Sequence, residues 1–77
     1  MKPAIADFII HVNESLSEPD MLRVADTVCA DACVTSACVS HDDPHLIMVN
    51  YDAHCARASD IVRKVNDLGI RAQAVGM

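Results

Sequence analysis

The stretch that decides the fold is Val34–Asp52, VTSACVSHDDPHLIMVNYD. It holds two short β-branched runs on either side of a polar turn. In "LIMVNYD" (Leu46–Asp52) the alternation predicts a strand with Ile47, Val49 and Tyr51 on one face. "VTSACVS" (Val34–Ser40) alternates less cleanly. Val34, Ala37 and Val39 are the candidates for its covered face, which requires an irregularity near Val34. Between the two, "HDDPH" (His41–His45) is a turn, because Asp and Pro both favour one.

Outward from this pair the pattern repeats. Upstream, "IADFIIHV" (Ile5–Val12) reads as a strand and "NESLSEPD" (Asn13–Asp20) as a polar loop. Pro19 and Asp20 suit a first helical turn. From Met21 the apolar residues Leu22, Ala25, Val28, Cys29 and Ala32 recur at helical spacing. Downstream, "HCARASDIVRKVNDLG" carries the stripe Ala58, Ile61, Val62, Val65, Leu68, with Gly69 as a C-terminal stop. "IRAQAVGM" (Ile70–Met77) is the last strand. The order is βαββαβ. Strand–helix–strand crossovers are right-handed almost always, so two such units interleave into one four-stranded antiparallel sheet. An α+β, ferredoxin-like arrangement follows, with strand order 4-1-3-2 and both helices on one face.

At 77 residues, positions 1–77 form one small domain. Half its residues are apolar, yet Phe8 and Tyr51 are the only aromatics. The formal charge is −5, and the six Lys and Arg residues are scattered. With no basic stripe and almost no stacking aromatics, nucleic acid is not the expected partner. The apolar runs are too short to cross a bilayer, and the start "MKPAIADFIIHVNES" lacks a clean leader segment. The expectation is a cytoplasmic protein, where reducing conditions keep thiols free. A periplasmic protein cut from a longer precursor would read the same way.

The topology places the thiols. The end of the first helix and the start of the second fall at one pole, so Cys29 and Cys33 approach His54 and Cys55. Cys29 and Cys33 are also helical neighbours. Thiolates select Cu(I) or Zn(II), and an imidazole can complete a zinc shell. The candidate metal ligands are therefore Cys29, Cys33, Cys55 and His54. The plainer reading makes Cys29 a small core residue and the other two incidental. The turn residues His41, Asp42, Asp43 and His45, with His11 and Glu14 towards the same pole, offer a harder donor set. Such a turn also forms with no ligand, since Asp side chains bond their own backbone.

Cys38 points to the other side of the sheet if Ala37 and Val39 face the helices. Ile9, His11 and Met48 would share that open side, a candidate surface for a protein partner or self-association. No catalytic constellation is present. His54 and Cys55 are adjacent in sequence, a poor attacking geometry. Gly69 and Gly76 are the only glycines, so no phosphate loop exists. The expectation is not an enzyme.

The pattern V-x-S-A-x-V (Val34, Ser36, Ala37, Val39), the Tyr51-Asp52 pair and the helix ending in Leu68-Gly69 resemble the heavy-metal-associated (HMA) domain family. That family includes small copper chaperones and mercury-binding proteins. The resemblance covers nearly the whole chain and rests on core and turn positions. It implies the same fold and, for members that carry metal, a Met-x-Cys-x-x-Cys motif in the loop after the first strand. Here that loop is "NESLSEPD", with no Cys, Met or His, so no residue of the family's motif carries over. The resemblance thus implies a small non-enzymatic HMA-like protein binding Cu(I) or Zn(II) through non-family cysteines. An interaction module on a degenerate HMA-like scaffold, docking through its open sheet face, is the alternative. A small-molecule-binding regulatory domain shares only the topology.

Overall fold

The computed structural model describes residues 4–75. Its elements are β1 (Ile5–Val12), α1 (Glu18–Cys29), β2 (Val34–Val39), β3 (Leu46–Asp52), α2 (Ala58–Asp67) and β4 (Ala72–Val75). They form one antiparallel sheet in the order β2-β3-β1-β4, the expected order counted from the other edge. This is the α+β ferredoxin-like arrangement read from the sequence.

The irregularity near Val34 is a β-bulge. Val34 pairs with Tyr51 and Ser36 with Asn50, so Thr35 is the extra residue. One inserted residue resets the alternation. Val34 can then share the helix-facing side with Ala37 and Val39, although their sequence spacing differs in parity. Val34 is buried and the other two are partly buried.

The core lies between sheet and helices. Ile10, Val12, Ile47 and Val49 from the central strands meet Met21, Val24 and Val28 of α1 and Ile61 and Val65 of α2. The two aromatics meet edge to face, Phe8 against Tyr51, with ring centroids 5.4 Å apart. That is the favourable arrangement for two quadrupoles.

The first helix begins at Glu18, where Ser17 caps it, with Pro19 and Asp20 in its first turn as expected; the correction is to its buried face. The Ser17 hydroxyl accepts the Asp20 N–H at 3.3 Å, satisfying one of the helix's free donors. The buried arc is Met21, Val24, Ala25 and Val28. Leu22, Cys29 and Ala32 are exposed, so the expected stripe was off its true arc by about one position.

The second helix keeps its stripe except for Leu68, which is its exposed C-cap. Gly69 follows with φ at +85°, the left-handed conformation that ends helices and favours glycine. The last strand begins at Ala72, two residues later than expected. Ile70 packs against the core instead, and the Asn66 side-chain oxygen accepts the Ala72 N–H at 3.1 Å. Gly76 and Met77 lie outside the described residues.

Candidate functional site

The chain has two poles, and the lower one gathers the thiols. There the loop after α1 meets the turn between β3 and α2. Two aspartates shape these segments by bonding their own backbone two residues on. Asp31 Oδ1 accepts the Cys33 N–H at 2.8 Å, and Asp52 Oδ1 accepts the His54 N–H at 2.9 Å. Each is an Asx turn, a local bond that aspartate offers in place of regular structure.

Asp52 also ties the two segments together. Its N–H donates to the Cys33 carbonyl at 2.8 Å, and its own carbonyl accepts the N–H of Cys55 at 3.0 Å and of Ala56 at 3.2 Å. One residue thus holds the backbone at both cysteines. With their Cα atoms 5.4 Å apart, Cys33 and Cys55 are joined as a disulfide. The expectation of free thiols is corrected here: only Cys29 and Cys38 are free, and both are exposed.

A charge pair braces the same loop. Lys64 of α2 donates to Asp31 Oδ2, 33 residues away in sequence. That bond, together with the Cys33 N–H on the same carboxylate, holds the Asp31 carboxyl below its ordinary range. The ammonium is half exposed, so the pair adds modestly to stability. Its value is positional, since it fixes the aspartate that fixes Cys33.

Of the four predicted ligands, the fold joins Cys33 to Cys55, and His54 precedes Cys55 in the β3–α2 turn, exposed. Cys29 stands on the exposed side of the last residue of α1, so it is not the small core residue of the plainer reading. Among the described residues, no three His, Cys, Asp or Glu side chains gather as a metal-holding group.

The roles of Asp31, Asp52 and Lys64 escaped the sequence reading. An aspartate two residues before Cys33, and another two before His54, was the available signal.

The upper pole uses its polar residues on itself. Ser40 Oγ accepts the N–H groups of Asp42 and Asp43, and Asp43 Oδ1 accepts the His45 N–H at 2.9 Å. His45 Nδ1 lies 3.3 Å from the Val12 carbonyl, and His11 Nδ1 lies 2.6 Å from Asn13 Oδ1. The acidic hairpin is therefore folded by its own side-chain-to-backbone bonds.

Chemically, the lower pole can do two things. As a disulfide it staples the α1–β2 loop to the β3–α2 turn. As a dithiol it presents two soft donors whose Cα separation lets the sulfur atoms span a small ion. Two thiolates on one zinc-sized ion sit about 3.8 Å apart, within reach of side-chain rotation from this backbone. No helix among the described residues is long and apolar enough to cross a membrane. No protein-family model matches the chain, and no curated protein matches it.

Proposed function

We propose that this chain is a small, non-enzymatic soft-metal-handling protein of the heavy-metal-associated type, with its ligands moved to the lower pole. The observation that carries this reading is the Cys33–Cys55 pair. Two thiols 22 residues apart are held at bonding distance by loops that three other side chains brace. A dithiol reductant opens the pair: its two thiols become a disulfide, and two electrons and two protons pass to Cys33 and Cys55. The resulting thiolates suit Cu(I), which accepts two soft ligands, better than zinc, which takes four. His54 is the neighbour able to extend the set. Cys29 is outside it. In a reducing compartment such as the cytoplasm the pair is open to metal, and under oxidising conditions it is closed.

The test is a competitive titration of the reduced, desalted protein with Cu(I), and separately Zn(II), against a coloured chelator under anaerobic conditions. We expect one Cu(I) per chain, held tighter than about micromolar. Binding should be lost in Cys33→Ser and in Cys55→Ser and kept in Cys29→Ser. Failure to compete for Cu(I), or binding that survives both lower-pole substitutions, overturns the reading.

A further inference from the structure

The two halves of the Cys33–Cys55 disulfide stand in unequal surroundings. Cys55 is exposed, in the turn between β3 and α2, and His54 before it and Arg57 after it are exposed as well. Cys33 is half-buried, and the residue that follows it, Val34, belongs to the core. A thiolate opens a disulfide by attacking one sulfur from the side opposite the other, so access to each sulfur decides where it enters.

Charge does not separate the two ends. Asp31 accepts the Cys33 N–H, and its carboxylate is paired with Lys64. Near Cys55 the Asp52 carboxylate accepts the His54 N–H, and Arg57 lies two residues further along the chain. Each cysteine has a carboxylate and a cation among its neighbours in sequence or space, so exposure is what distinguishes them. The backbone also keeps the pair together once the bond is open. Cys33 keeps its N–H on Asp31 Oδ1 and its carbonyl on the Asp52 N–H, and Cys55 keeps its N–H on the Asp52 carbonyl. None of these bonds involves a sulfur atom.

We propose that Cys55 is a site of reversible mixed-disulfide formation with a small thiol from solution, and that Cys33 is the thiol that releases it. The thiolate of the small thiol attacks Cys55 Sγ. A bond forms between those two sulfurs, the Cys33–Cys55 bond breaks, and Cys33 leaves as a thiolate that takes a proton from water. One disulfide replaces another, so this step has no net oxidation or reduction. In the reverse direction the Cys33 thiolate attacks Cys55 Sγ, restores the protein disulfide and expels the small thiol.

A second small thiol that attacks the first one's sulfur instead completes the reduction. It carries away a disulfide of the two small thiols and leaves Cys33 and Cys55 as a dithiol. Cys55 is thus the point at which the surroundings open and close the staple, and Cys33 the one that keeps the modification brief. The proposal shares only the cysteine pair with the metal reading: a chain that binds no Cu(I) still exchanges at Cys55.

The test uses Cys29→Ser combined with Cys38→Ser, which removes the two free, exposed thiols and leaves the disulfide in place. Sulfite is the first probe, because it bonds to the sulfur it attacks and leaves the other as a thiol. Brief treatment of the native protein, stopped in acid and read by peptide mass, should mark Cys55 over Cys33 by at least about tenfold. In concentrated urea the preference should vanish. Equal marking of the native protein, or a preference for Cys33, overturns the proposal, as does a preference for Cys55 that survives in urea. The second probe is oxidised glutathione, added to the reduced protein. The chain with both cysteines should pass through one glutathione on Cys55 and close to the disulfide. With Cys33→Ser added, the glutathione should stay on Cys55. Glutathione that stays on the chain holding both cysteines overturns the role of Cys33. The sulfite comparison and the closing of the two-cysteine chain need no lower-pole substitution, so they decide even where Cys33→Ser prevents folding.

Discussion

The two poles of the molecule are built from the same kind of residue and held in different ways. At the upper pole, aspartate and serine side chains fold a short turn onto itself through bonds two or three residues long, and hydrogen bonds of His45 with Val12 and of Arg71 with Glu14 tie the pole to distant segments. At the lower pole the same local Asx turns are present, but they are crossed by a disulfide of sequence separation 22 and an ion pair of separation 33. Local bonds shape each loop and long-range bonds fix where it stands; at the upper pole those long-range bonds are hydrogen bonds, and at the lower pole they include a covalent link and an ion pair. The loop after β1, where the resembled family carries its metal, has no soft ligand, whereas the opposite pole holds two cysteines joined as a disulfide.

Reduction cuts deepest into that contrast. Opening the Cys33–Cys55 loop, or replacing both residues by serine, should cost about 3 kcal/mol, chiefly by freeing the unfolded chain. Urea denaturation with and without reductant measures it. A loss near zero would mean that the lower pole is held by its hydrogen bonds alone.

Asp31→Asn comes next, with an expected loss of about 1 kcal/mol from the Lys64 contact, while the amide oxygen still accepts the Cys33 N–H. It also changes the pH profile. Because the folded carboxyl is held below its unfolded value, its contribution is complete above about pH 4 and fades as pH falls through the lowered folded value. The wild-type protein should therefore lose stability over that acid range more steeply than the variant, measured as denaturation midpoints at a series of pH values. Parallel profiles would remove the Asp31–Lys64 brace.

At the upper pole, Asp43→Ala removes one partly buried turn bond and should cost only about 0.5 kcal/mol. A loss as large as that of Asp31→Asn would erase the difference between the poles. The smallest stability effect belongs to the free thiols. Maleimide should label two cysteines per native chain, Cys29 and Cys38, and leave the unfolding midpoint nearly unmoved, with all four labelled only after reduction. Labelling of Cys33 or Cys55 without reductant, read by peptide mass, would contradict the disulfide.

Much of this was readable from residue order. Leu46–Asp52 and Ile5–Val12 are strands with the expected ends, because each is a short alternating run bounded by turn residues. The Val34 irregularity was legible because Val34, Ala37 and Val39 cannot share a face without an extra residue. The helix phase was harder. Pro19 and Asp20 marked the first turn of α1, but near-equivalent Leu22 and Met21 compete for the same arc. Hardest was the thiol pairing. Topology brings Cys29, Cys33 and Cys55 to one pole, but which two meet depends on two Asx turns and on the side of α1 that Cys29 occupies. A reducing environment, assumed for the chain, also argued against any pairing.

The bulge at Thr35 has a consequence for how copies of the chain can meet. β2 is an outer strand, and a flat outer strand is an invitation to endless strand-by-strand growth into fibres. An extra residue there bends the ladder and interrupts its spacing. The β2 border is therefore a poor template for extension.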